Sequence, residues 1–192
     1  MMKKRNLLKL IILALLGKIS LVLFFFNFPL PFLPPYLKID FSDIPALMAS
    51  LIFSPMAGVT VVGIKNLLYM AIGGGEPVGV VSNFLAGIMF VVPVAILYHK
   101  FKKGVKSVVS GLIVGTVIMA VGMSILNYLI ILPIYAWFMG MEEMHITSVK
   151  FYAVLYGILP FKILKGIVVG LMFVPLFVKM RSWIEQKRLD IA

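Results

Sequence analysis

Two lysines, Lys162 and Lys165, stand three residues apart in the stretch LPFKILKG (Leu159–Gly166), at the head of the apolar run Ile167–Val178. That spacing puts both ammonium groups on one face of a helix. Lys18, Lys65, Asn66, Asn83 and Asn127 are likewise set in apolar surroundings. Such groups are costly in hydrocarbon and face a partner or a cavity. A lysine only donates hydrogen bonds, whereas an asparagine both donates and accepts. Together they suit recognition of a polar ligand edge, although a single membrane asparagine equally serves to bond one helix to another. They do not suit catalysis. His99 and His145 fall in different loops with no second histidine nearby, and adjacent Glu142 and Glu143 would diverge on a helix. No convergent acid/base pair or metal-ligand set emerges. The chain has no cysteine, which excludes disulfides and thiolate sites. It also lacks a GxxxxGK[ST] loop, which excludes ATP hydrolysis by that route. The expectation is a binding protein, not an enzyme, with no metal and no resident cofactor.

The elements that position these residues are set by composition. The 192 residues are 62% hydrophobic and 13% charged, with a mean hydropathy of +1.10. A soluble domain could not cover that much apolar surface, so the chain reads as an all-α integral membrane protein. Six spans are expected, at Leu7–Phe26, about Ile44–Phe53, Ala57–Ile72, Val78–Tyr98, Ser107–Ile131 and Tyr156–Val178. The first is too long for a signal-peptide core and no small-residue cleavage site follows, so it reads as a retained helix. The second and third are short, which implies tilted or partly buried helices. Pro55 and Gly58 argue against merging them. Residues 1–180 form one six-helix domain and 181–192 a cytoplasmic tail. Pro160 is expected at the start of the sixth helix, where a missing N–H is harmless. Lys162 then lies one turn inside and can snorkel, while the deeper Lys165 is the better ligand contact. Gly111/Gly115 and Gly166/Gly170 are small-residue pairs that permit close helix packing.

The net charge of +11 comes largely from clusters beside the spans: Lys3, Lys4, Arg5 and Lys9; Lys100, Lys102, Lys103 and Lys106; and Lys179, Arg181, Lys187 and Arg188. With six spans all three clusters share one side, the cytoplasmic one by the positive-inside rule. Both termini are therefore expected to be cytoplasmic. The charge is a topology signal with anionic lipid as a secondary partner, not a nucleic-acid footprint. Five of the seven acidic residues, Asp40, Asp43, Glu76, Glu142 and Glu143, fall on the other side. There the loop Phe28–Pro45, stiffened by Pro29, Pro31, Pro34 and Pro35, is too apolar for a solvated tether and should fold over the helix ends as a lid. Lys65, Asn83, Asn127, Lys162 and Lys165 would line a polar pocket beneath it.

These residues also carry a family resemblance. The lid PLPFLPPYLKIDFSDIPAL (Pro29–Leu47), the pair Lys65-Asn66, GEPVG (Gly75–Gly79) followed by Ser82-Asn83, Asn127-Tyr128 and LPFKILKG together resemble the riboflavin-specific S component of the energy-coupling factor (ECF) vitamin transporters. The resemblance implies a six-helix S-component fold in the bacterial cell (inner) membrane. It further implies capture of riboflavin at the extracellular face under the loop between the first two helices. Energy would come from a transmembrane coupling subunit and two cytoplasmic ATPase subunits. It places Asn127 and Lys165 on the polar edge of the flavin ring, Leu37 and Phe41 on its apolar body, and Asn83, Glu76 or Lys65 near the ribityl hydroxyls. Two departures stand out. Lys162 occupies a position where the family pattern has asparagine, and a second cation there would favour a phosphorylated flavin such as FMN. The small-x-x-x-small face expected on the first helix, for docking the coupling subunit, is interrupted because Lys18 follows Ala14, with Gly17 and Ser20 the remaining small residues. The alternatives are an S component for another vitamin, or a small membrane enzyme of lipid or cell-wall metabolism.

Overall fold

The computed structural model describes residues 2–31, 37–73, 75–101, 104–140 and 146–191. Helix α1 (Met2–Phe25) is followed by a two-stranded antiparallel clip, β1 (Phe28–Pro29) and β2 (Lys38–Ile39), in which Phe28 pairs with Ile39 and Pro29 with Lys38. Then come α2 (Asp43–Ile52), α3 (Pro55–Ala71), α4 (Pro77–Lys100) and α5 (Val105–Leu126). A π-helical turn, Asn127–Ile131, carries α5 into α6 (Leu132–Met139). After the next connection α7 (Thr147–Tyr152) passes through a second π turn, Ala153–Ile158, into α8 (Leu159–Ile191). Phe32–Tyr36 of the expected lid, and the loop residues Glu142, Glu143 and His145, lie outside the described residues.

Among the described residues, four helical stretches are long and apolar enough to cross a membrane: Asn6–Phe25, Pro77–Lys100, Val105–Phe138 and Thr147–Gln186. Of the six helices expected as spans, the second and third, expected to be short, are the ones that do not reach across. At 10 residues α2 rises only ~15 Å, half of a hydrocarbon core, and 17-residue α3 also falls short of ~30 Å. Almost every side of α2 is covered by protein, including Pro45, Ala46, Leu47, Ala49, Leu51 and Ile52. The break between α2 and α3 lies where Pro55 requires it. Ser54 caps α3, its Oγ accepting from the Ala57 N–H at 3.3 Å, and Pro55 takes the first-turn position. Gly58 does not break the run. It lies inside α3, where a Cβ would stand 2.7 Å from that of Ser50, so its role is close approach of α2.

The last helix also differs from expectation. Pro160 lies not at a helix start but 13 residues into a continuous helical stretch that begins at Thr147. The preceding π turn explains why it is tolerated. Leu159 N–H bonds to Val154 C=O, an i→i−5 bond that widens the turn and relieves the proline ring of the carbonyl it would otherwise strike. The same device precedes Pro133, with Leu132 N–H on Asn127 C=O. At its other end α8 runs on through the expected tail boundary and buries Ile184 against the bundle. The core packs Leu47, Leu51, Val61, Val62, Phe90, Val94, Tyr98, Met119, Met123, Phe173 and Phe177. Leu10, Leu15, Leu67, Ile113, Leu129 and Leu171 face outward, as a lipid-facing surface requires.

Candidate functional site

Successive residues of β2 point to opposite sides, so Lys38 is exposed and Ile39 buried. Asp40 then turns inward directly before α2. Its Oδ1 accepts from the Ser42 N–H at 3.0 Å and from the Ser42 hydroxyl, which closes a tight local turn. Asp43 opens α2, where a carboxylate complements the helix dipole. Lys165 of α8 reaches both acids, its Nζ donating to Asp40 Oδ2 at 2.9 Å and lying 3.1 Å from Asp43 Oδ2. Lys65 of α3 completes the group. Its Nζ donates to Ser42 Oγ at 2.9 Å, lies 3.7 Å from Asp43 Oδ1, and sits 5.1 Å from the Phe24 ring centroid. Ser20 of α1 donates to the Ser42 carbonyl at 2.5 Å. All four charged residues are at most 4% exposed. Two cations and two anions thus form a closed buried cluster that ties α1, the interhelical loop, α2, α3 and α8 together. Burial alone would raise the Asp40 carboxyl, but Lys165 and then Lys65 beside it hold it down at about 2.

The other expected site residues surround this cluster unequally. Glu76 at the N-cap of α4, and Asn83 and Gly87 within it, recur at helical spacing on one side of the helix. A Cβ on Gly87 would lie 3.6 Å from Asp43 Oδ1, so that side borders the acids. Glu76 Oε1 accepts from Tyr135 Oη at 2.8 Å, while Glu76 Oε2 and Asn83 Oδ1 are buried and have no hydrogen-bond partner among the described residues. Buried polar atoms are nearly always paired, so these two mark a place that takes a donor. Asn127, 6% exposed, opens the first π turn and donates to Met123 C=O at 2.7 Å. Asn66 is used within its own helix, donating to Val62 C=O at 2.8 Å. Leu37 packs over Gly157 in the second π turn, and half-buried Phe41 lies 6.2 Å from Phe28, ring centroid to centroid. Lys162 is half-buried with its Nζ 5.5 Å from the Phe161 ring centroid, and among the described residues no carboxylate lies within ion-pair distance of it.

The small residues of α1 expected at a docking face are placed unequally. Gly17 is buried and faces α3, where a Cβ would stand 2.9 Å from that of Ile64. Ser20 is committed to the loop. Of the three small residues only Ala14 is exposed, on the same face as exposed Lys18. Sequence reasoning also missed Asp40, Asp43 and Tyr135 as members of the site. A signal was available for the acids: Asp40 and Asp43 stand three apart, as Lys162 and Lys165 do, with opposite sign and in similarly apolar surroundings.

Comparison with known proteins agrees with this architecture. The family described as ECF transporter, substrate-specific component, matches residues 8–177. The chain is 47% identical over 183 residues to the riboflavin transporter FmnP of Bacillus subtilis (strain 168), covering 94% of this chain and 95% of that protein. It is 40% identical over 178 residues to the riboflavin transporter RibU of Staphylococcus aureus (strain TCH60), covering 93% of each. A solved structure described as "Structure and mechanism of the S component of a bacterial ECF transporter" superposes with a TM-score of 0.78 at 40% identity, covering 93% of this chain and 98% of that one. The chain belongs to the family of substrate-specific components of ECF transporters.

Proposed function

We propose that this chain is the riboflavin-binding subunit of an ECF-type importer in a bacterial cell membrane. The observation that carries the reading is near full-length similarity to two riboflavin transporters, at 47% and 40% identity. Site chemistry supports it. The polar edge of a flavin ring presents carbonyl acceptors and an N–H donor. Lys165 donates to Asp40 and lies against Asp43, which leaves one of its three ammonium protons for a ligand carbonyl. Asn127 has one N–H committed to Met123, which leaves a donor and a carbonyl oxygen for the same edge. Leu37 and Phe41 cover the ring, and Asn83 Oδ1 and Glu76 Oε2 accept from ribityl hydroxyls. Lys65 is the counter-ion of the acids and not a ligand contact.

The assembly proposed around this subunit follows the family. The binding loop faces outward and both termini face the cytoplasm, in keeping with the basic clusters at the ends and between α4 and α5. A transmembrane coupling subunit docks on the α1 face that carries Ala14 and Lys18, and two cytoplasmic ATPase subunits supply the energy. The subunit itself catalyses no reaction. FMN is a second ligand, favoured by the half-buried cation Lys162. Detergent-purified protein should come off the column yellow. In titrations followed by flavin fluorescence quenching, Lys165→Ala and Asn127→Ala should each weaken riboflavin binding by at least ~1.4 kcal/mol, or tenfold. Unchanged affinity in both variants overturns the site assignment.

A further inference from the structure

Riboflavin and FMN share the ring and the ribityl chain and differ by a phosphate, so a site that tells them apart must do so largely through charge. The charge inventory around Lys165 is unusually complete. Asp40 and Asp43 contribute two negative charges, Lys65 and Lys165 two positive ones, and the four close on one another at 2.9 to 3.7 Å. All are buried, where salt screens little. The cluster is therefore neutral as a unit. Lys162, one helical turn away from Lys165, is the cation beside it with no carboxylate in ion-pair range among the described residues.

We propose that Asp40 and Asp43 are specificity-determining residues. By cancelling the charges of Lys65 and Lys165 they let the pocket take a neutral flavin. Its preference for a phosphorylated flavin is thereby limited to what Lys162 alone provides. The inference rests on the riboflavin reading above. Neither acid has to touch the ligand, because each acts through the field of the cluster. Removing one carboxylate charge leaves a net cation in a poorly screened region. One unit charge about 10 Å from a phosphate, at an effective dielectric of ~20, changes binding on the order of tenfold.

The measurement is the ratio of FMN to riboflavin affinity, obtained by fluorescence titration of the full chain in detergent. A purely structural role for the acids would weaken both ligands together and leave that ratio alone. Asp40→Asn and Asp43→Asn should each raise the ratio on the order of tenfold over wild type. Asp40→Asn combined with Lys165→Met is again neutral and should return the ratio towards the wild-type value. Lys165→Met alone makes the opposite charge change and should lower it, which provides a test even where the asparagine variants do not survive purification. A ratio unmoved in the single variants, or still raised in the double variant, overturns the proposal while riboflavin binding stands. Wild-type protein that binds neither flavin overturns the underlying reading and this proposal with it.

Discussion

Lys65→Met is the sharpest test of the buried cluster as a structural element. Methionine keeps an unbranched side chain of similar length, so the apolar stem still packs, but the charge and its protons are gone. Lys65 is 0% exposed and meets Ser42 Oγ at 2.9 Å, Asp43 at 3.7 Å and the face of Phe24. Its loss leaves two buried carboxylates facing the single ammonium of Lys165. Removing one partner of a buried ion pair typically destabilises by about 3–5 kcal/mol, because the other charge remains desolvated. For a chain of this size each kcal/mol lowers the unfolding temperature by about 2–4 °C, so the expected drop is roughly 6–20 °C. The assay is thermal unfolding in detergent, followed by circular dichroism at helical wavelengths. Two further variants separate charge balance from general damage. Lys65→Met with Asp43→Asn removes one charge of each sign and should recover at least half of the loss. Lys18→Met, on the exposed face of α1, should shift stability by no more than about 0.5 kcal/mol. A drop of less than about 3 °C for Lys65→Met, or a double variant worse than the single one, would refute the reasoning.

Other expectations follow from single contacts. Gly166→Ala would put a Cβ 2.8 Å from that of Thr116 and force α8 away from α5. It should destabilise by about 1–3 kcal/mol, and Thr116→Gly in the same chain should restore much of it. Tyr135→Phe removes the donor of Glu76 and leaves both carboxylate oxygens without a partner among the described residues, for a loss of about 1–3 kcal/mol in the same unfolding assay. The Asp40 carboxyl is lowered from 3.8 to about 2, so its contribution to stability is fully present above the ordinary value and is lost as pH falls through the folded one. The unfolding temperature should therefore show no contribution from Asp40 between pH 8 and 5, and a decline from this source only below about pH 4.

How far the chain could be read without coordinates depends on which physical signal each feature leaves. Pro55 announces itself because a missing N–H and a fixed φ have few tolerable positions, and Ser54 before it completes a recognisable cap. The placement of Lys165 inside the bundle was legible for a similar reason, since an ammonium deep in an apolar run needs a partner. Which partner was not legible. Asp40 lies 125 residues from Lys165 in the chain, and nothing in their local surroundings encodes that separation. The π turns left no trace either, because i→i−5 and i→i−4 bonding use the same residue types. Pro160 thus reads as a helix start from sequence although it follows a widened turn, and Pro133 follows another.

The ambiguity of the small residues on α1 has a more general cause. In a soluble helix the polar side marks the solvent and the apolar side marks the core. In α1 the lipid-facing residues Leu15, Ile19 and Val22 are as apolar as the buried Leu13 and Leu21, so composition carries no information about direction. Small residues are then ambiguous, since close approach of a neighbour within the chain and of a partner outside it both require them. Gly17 and Ser20 answer to the first requirement, through Ile64 and the Ser42 carbonyl. A partner that docks on α1 must accordingly read the face on which Lys18 is exposed beside Ala14. An interface built there has to accommodate a cation, and an acidic or strongly hydrogen-bonding counterpart is the chemistry that does so at least cost.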